Sequence, residues 1–270
     1  MAVFVTIMLA LIVIPLLALT ALFRALHLHV AGWEGQLLSE TVALGGALGA
    51  TAVMARIERR SVWSYGLRDG QLGRRVAAGA LCGIALMSLE MALLFATGHL
   101  RVQPAVTALG PAIGFLALWT YVFAATGVFE EVAFRGYMLV TLARTRLGFW
   151  GAAVLLAVVF GAVHGVNGGE ALVGEVAAGL FGLALAFAIR VTGSLWWAIG
   201  LHAGWDWTES YVWGVPDSGQ VVPGTFLNAQ LSGPHWLSGG TVGPEASVFV
   251  LIPLALIPLL AWRERSAVAA

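Results

Sequence analysis

Apolar residues run along this chain in blocks of roughly 20, the length a helix needs to cross the hydrocarbon core of a bilayer. Eight such blocks stand out, at residues 2–23, 37–55, 76–97, 112–142, 149–166, 171–190, 194–213 and 246–262. The pattern predicts an all-α fold: a polytopic transmembrane helical bundle of about eight spans, read as a single integral-membrane domain over residues 1–270. The fourth block is too long for a straight span and is expected to project beyond one membrane face. The first has no basic residues before its apolar run, which is also too long for a signal peptide, so a retained helix is expected. Between the last two blocks, residues 215–243 form the only long polar connection. Their Gly, Pro and Ser content predicts an external loop that packs over the bundle or stays mobile. No internal repeat is visible, and neither are the paired half-spans of an inverted-repeat transporter.

Composition narrows this further. Of 270 residues, 60% are hydrophobic and 10% charged, with a mean hydropathy of +0.90. Soluble domains carry about 25% charged residues, so too few polar groups exist here to cover a soluble surface. Lys+Arg and Asp+Glu are both 14, and a net charge of zero argues against a nucleic-acid partner. The single cysteine, Cys82, excludes an intrachain disulfide or a paired-cysteine metal knuckle.

Every basic residue is arginine, and the arginines set an orientation. Arg56, Arg59, Arg60, Arg68, Arg74 and Arg75 share one connection. Placing it in the cytoplasm brings Arg144, Arg146, Arg190, Arg263 and Arg265 to the same side, with Arg24 and Arg101 outside and Arg135 inside a span. Both termini are then cytoplasmic. Trp33, Trp63, Trp150, Trp196, Trp213 and Trp262 fall near the expected span ends, where an amphipathic ring is favoured. A multi-pass protein of the cell membrane, of the prokaryotic inner-membrane kind, is the expected setting, with the lipid bilayer as its first partner.

Seven acids fall within the spans: Glu40, Glu90, Glu130, Glu131, Glu175, Asp206 and Glu209, together with His164 and His202. Asp217 and Glu245 fall at ends or in loops. An intramembrane carboxylate costs a few kcal/mol even on lenient insertion scales, so several together suggest an enclosed polar site. Glu131 and Arg135 stand at i, i+4 and are expected to pair along one helical face. Glu130 lies about 100° around the helix and faces a different neighbour. A paired carboxylate is a poor base, whereas an unpaired one enclosed by apolar helices can take a proton. The bland alternative is that both acids only tie helices together. His202, Asp206 and Glu209 share one face at i, i+4 and i+7. At 1.5 Å rise per residue, Glu130, His164, His202 and Asp206 all fall roughly 12–22 Å from the same membrane face, so their helices can build one site.

In chain order, Glu130-Glu131-x-x-x-Arg135, Phe160-x-x-x-His164 and His202-x-x-x-Asp206 resemble the CPBP family of intramembrane proteases, which groups type II CAAX prenyl endopeptidases with bacteriocin-processing and immunity proteins. The motifs occupy residues 130–206, the expected core of the site. The resemblance implies hydrolysis of a peptide bond in a membrane-associated substrate, prenylated CAAX-type substrates among them. By motif position Glu130 would activate water, helped by His164, while His202 and Asp206 would bind a metal or stabilise the oxyanion. Glu131, Arg135 and Phe160 would support them. Zinc is the cofactor this family allows without requiring, with His164, His202 and Asp206 as its ligands here. Two histidines and a carboxylate make an acceptable zinc set with an open position, although no His-Glu-x-x-His motif is present. Many members carry Asn where this chain has Asp206, and Asp is the better metal ligand.

Two other uses of the same features remain open at this point. A transporter or proton-coupled channel would also place acids in mid-membrane, with Glu40, Glu90 and Glu175 as a path. A non-proteolytic bacteriocin-immunity or interaction protein would use the same scaffold without the chemistry.

Overall fold

The computed structural model describes residues 1–30, 32–104, 109–165 and 172–269. The predicted blocks return as helical runs. These are α1 (Ala2–Ala25), α2 (Gly32–Ile57), α3 (Leu72–Ala96), α4 (Leu109–Glu131), α5 (Leu139–Leu142), α6 (Gly148–His164), α7 (Leu172–Thr192) and α8 (Leu195–Asp206). After the short α9 (His235–Ser238), α10 (Leu251–Ala269) closes the chain. Among the described residues, five helical runs are long and apolar enough to cross a membrane: α1, α2, α3, Ile113–Leu142 and α7. Apolar α6 is shorter, at 17 residues. The all-α expectation holds for the bundle, and the chain is a multi-pass membrane protein. Residues 246–250 depart from the predicted eighth block, folding as parts of two short 3₁₀ turns (Pro244–Ala246 and Val248–Val250) before α10 begins. Val166 and Ala171, expected ends of the fifth and sixth blocks, lie outside the described residues.

The 215–243 connection packs over the bundle. Its strand β2 (Leu227–Leu231) pairs antiparallel with β1 (Leu100–Pro104), with Leu100 opposite Leu231 and Pro104 opposite Leu227. Both strands lie in connections that periodicity leaves unassigned. Trp119 Nε1 of α4 donates to the Pro223 carbonyl at 2.9 Å, and Val222 joins Trp119 and Phe123 in a small apolar cluster.

Lipid tails are as apolar as leucine, so helices in a bilayer associate through close packing rather than hydrophobic burial. The tightest seam joins α3 to α8. Gly79 and Gly83 of α3 face Gly200 and Gly204 of α8, and a Cβ on any of them would collide with the opposing backbone, at Trp197, Leu201, Val76 and Ala80 respectively. Two interlocked Gly-x-x-x-Gly pairs therefore fix the helix that carries His202 and Asp206. On the other side, Gly127 of α4 approaches the Ile199 carbonyl and Ala203 of α8. A second seam joins α6 to α7 through Gly161, which lies against the Glu175 backbone.

Both motif helices switch to π-helical geometry immediately after their key acids. Val132–Met138 follows Glu130 and Glu131, and Trp207–Trp213 follows Asp206. Such wide turns are rare and recur at functional sites, because the extra residue turns consecutive side chains toward one interior. Thr208, Glu209, Ser210 and Tyr211 are accordingly all buried. Gly214, at φ +70°, then ends this helix in the left-handed region that glycine tolerates.

Candidate active site

Glu130, His164, His202 and Asp206 line one cavity of about 220 Å³. The convergence inferred from helix depth is therefore present in three dimensions. Glu130 Oε2 lies 3.7 Å from His202 Nε2, and Asp206 Oδ2 lies 3.6 Å from the same nitrogen. His164 borders the cavity through α6.

Behind this wall, Glu131 is fully buried and ion-paired to Arg135 at 2.9 Å, the pairing expected from the i, i+4 spacing. The same Oε1 accepts from His202 Nδ1 at 2.9 Å. One carboxylate oxygen thus joins two of the three motifs. A carboxylate accepts only, so His202 Nδ1 carries the proton and Nε2 is presented to Glu130 and Asp206. His164 Nδ1 is held in the same way, donating to the Phe160 carbonyl at 2.8 Å and leaving Nε2 as the free ring nitrogen. Phe160 explains its place in the second motif. Its ring carries the Arg135 guanidinium 4.1 Å from its centroid and meets Phe134 edge-on at 5.1 Å. Gly182 of α7 leaves room for that guanidinium, since a Cβ there would overlap Arg135 Nη2.

Glu130 differs from Glu131 in exposure and in its partners. Its side chain is 19% exposed at the cavity wall and has no arginine beside it, while Oε2 of each glutamate makes no hydrogen bond among the described residues. Neighbouring acids on one helix therefore have separate surroundings, one clamped and one open.

Several cavity residues were not singled out as site residues in the sequence. Asp217 and Glu245, read as loop acids, line the wall with Ser218, Gln220, Gln36 and Glu40. Residues 217–220 make a tight turn with positive φ at Ser218 (45°) and Gly219 (79°), closed by reciprocal backbone bonds between Asp217 and Gln220. This is the turn geometry that suits a sharp chain reversal, and it delivers Asp217 and Ser218 to the cavity. Desolvation pushes the Asp217 carboxyl up to about 7, and Glu245 adds to this against the hydrogen bond from Ser210. A usable signal was present: the one long polar connection follows the block that carries His202 and Asp206, with Asp217 near its start and Glu245 just past its end.

The three acids considered for a proton path occupy different surroundings. Glu40 lines the cavity and accepts from Thr126 Oγ1 at 3.1 Å. Glu90 is fully buried in α3 without a hydrogen bond. Glu175 borders an apolar groove between α6 and α7.

The donor types His, His and carboxylate suit zinc, but the atoms as placed do not close on one point. Among the described residues, the group of three or more candidate ligands within 4.8 Å of one another is Glu209, Asp217 and Glu245, not His164, His202 and Asp206.

Compared with known proteins, residues 112–208 match the family model of type II CAAX prenyl endopeptidases, Rce1-like, a segment that holds all three motifs. No curated protein and no solved structure matches the chain. The match agrees with the resemblance carried by Glu130-Glu131-x-x-x-Arg135, Phe160-x-x-x-His164 and His202-x-x-x-Asp206, and it supports, for the segment that carries these motifs, a likeness to the Rce1-like family of CAAX-type intramembrane proteases.

Proposed function

We propose that this chain is an endopeptidase that hydrolyses a peptide bond of a membrane-associated substrate with water activated by Glu130. The observation that carries the reading is the contrast between the two adjacent glutamates: Glu131 is fully buried and held by Arg135 and His202, while Glu130 lines the cavity with its side chain 19% exposed.

In this mechanism a water lies between Glu130 and His164 Nε2. Glu130 takes one proton as the water oxygen attacks the scissile carbonyl carbon, and the carbonyl π electrons move onto its oxygen. His202 in its protonated form, oriented by Glu131, offers Nε2–H to that oxyanion, with Asp206 on the adjoining turn holding the imidazolium. Collapse of the tetrahedral intermediate breaks the C–N bond, and Glu130 returns its proton to the leaving nitrogen. One water is consumed, and the products are a carboxylic acid and an amine, which settle as carboxylate and ammonium once the acid's proton passes to the amine.

The test uses the full chain in liposomes with two series of membrane-anchored peptides, with and without a C-terminal prenyl-cysteine, and mass-spectrometric detection of the fragments. Glu130→Ala and His164→Ala are each expected to lower cleavage at least 100-fold. Wild-type rates in both variants would overturn the assignment.

A further inference from the structure

Three carboxylates meet at the edge of the catalytic cavity from three separate pieces of chain. Glu209 comes from the π-helical turn after α8, Asp217 from the tight turn, and Glu245 from the 3₁₀ turn before α10. One oxygen from each lies within 4.8 Å of the others. Mutual repulsion makes this arrangement costly unless positive charge stands among them.

Glu209 marks what is needed. Its side chain is fully buried, it forms no ion pair among the described residues, and neither oxygen has a hydrogen-bond donor. A desolvated carboxylate left this way costs several kcal/mol. The chain nevertheless closes over it. Gly243, at φ +127°, passes so near that a Cβ there would stand 3.1 Å from Glu209 Oε1. The other two acids are steadied by hydroxyls, Ser210 on Asp217 at 3.0 Å and Ser218 on Glu245 at 3.1 Å.

We infer that Glu209, Asp217 and Glu245 bind a hard divalent cation that fastens the segment 215–246 to the bundle. An all-oxygen, carboxylate-rich donor set without His or Cys favours Ca²⁺ or Mg²⁺ over zinc. Calcium suits donors drawn from a helix, a tight turn and a 3₁₀ turn better, because its coordination is flexible where magnesium demands near-ideal octahedral geometry. Backbone carbonyls and water complete such a shell. Since Asp217 and Glu245 also line the cavity with His164, His202 and Asp206, the cation would hold the roof of the catalytic site in place.

The experiment needs no substrate, so its outcome is independent of the protease reading. The full-length protein in detergent is stripped with EDTA, and Tm is followed during titration with Ca²⁺, Mg²⁺ or Zn²⁺. Ca²⁺ is expected to raise Tm saturably by about 5 °C. Glu209→Gln and Asp217→Asn are each expected to abolish the shift, and chelated Glu209→Gln to melt no lower than chelated wild type because a buried charge is gone. His202→Ala is expected to keep the Ca²⁺ shift. A Mg²⁺ shift with the same variant pattern supports the site with the smaller ion. A response to Zn²⁺ alone, a shift that survives both carboxylate variants, or one lost only in His202→Ala would overturn it. If Glu209→Gln does not fold, Asp217→Asn decides.

Discussion

The two ends of this bundle treat their acids differently. At the Arg-rich end each acid with a described contact has a donor beside it. Glu58 accepts from Tyr137 at 2.6 Å and Tyr65 at 2.8 Å, Asp69 pairs with Arg75 at 2.8 Å and accepts from Ser194, and Glu264 pairs with Arg74 at 2.6 Å. Burial alone would raise the Glu58 carboxyl, but the two tyrosines and Arg60 together hold it below the usual range, while burial and Glu58 push Tyr65 up to about 12. Toward the cavity the pattern is mixed: Glu40, Asp217 and Glu245 accept from hydroxyls, whereas Glu90, Glu209 and one oxygen each of Glu130 and Glu131 have no hydrogen-bond donor among the described residues. Satisfied acids hold connections together, whereas unsatisfied acids are available to a proton, a substrate or a cation. Glu131 is the paired kind placed inside the site, and through His202 it joins the two regimes.

Breaking that junction has the largest expected effect on stability. Arg135→Met leaves Glu131 buried without its cation and is expected to cost about 3–5 kcal/mol, read as a fall in Tm in detergent. Cleavage is expected to fall with it, because His202 loses its fixed partner. A smaller disturbance of the same pair comes from the neighbouring helix. Gly182→Ala places a methyl group against Arg135 Nη2 and is expected to cost about 1–3 kcal/mol. Rescue of the lost stability by Arg135→Lys in that background would tie the effect to the crowded guanidinium.

The weakest pair of changes sharpens the contrast between the ends. Glu58→Gln is expected to lower stability by about 1 kcal/mol at neutral pH, through weaker acceptance from two tyrosines. A lowered carboxyl stabilises the fold above its unfolded value near pH 4.3 and loses that contribution as pH falls through its folded value. The Glu58→Gln deficit is therefore expected to shrink in melts carried from pH 6 down to pH 3. Glu90→Gln, at an acid with no donor to lose, is expected to leave Tm unchanged or higher. A deficit at Glu90 as large as that at Glu58 would remove the distinction.

Much of this was legible in the sequence because a bilayer makes each charge conspicuous. The helical blocks, the Glu131–Arg135 pair and the meeting of Glu130, His164, His202 and Asp206 followed from periodicity, i, i+4 spacing and helix rise. The π turns did not, since no residue type demands them and Val132–Met138 reads as ordinary helix. Asp217 and Glu245 were hidden for a different reason: their approach depends on a tight turn and on how a long connection folds back. The Gly79–Gly83 and Gly200–Gly204 seam was present as spacing and gained meaning once the facing helices were known.

The proposed division of labour between the adjacent glutamates is tested most directly by one comparison. Glu130→Gln and Glu131→Gln are each assayed for cleavage of the membrane-anchored peptides and for Tm in the same preparation. Glu130→Gln is predicted to lose at least 100-fold in cleavage with Tm within about 2 °C of wild type, and Glu131→Gln to lose both cleavage and several degrees of Tm. Full cleavage by Glu130→Gln, or a catalytic loss in Glu131→Gln with unchanged Tm, would contradict it.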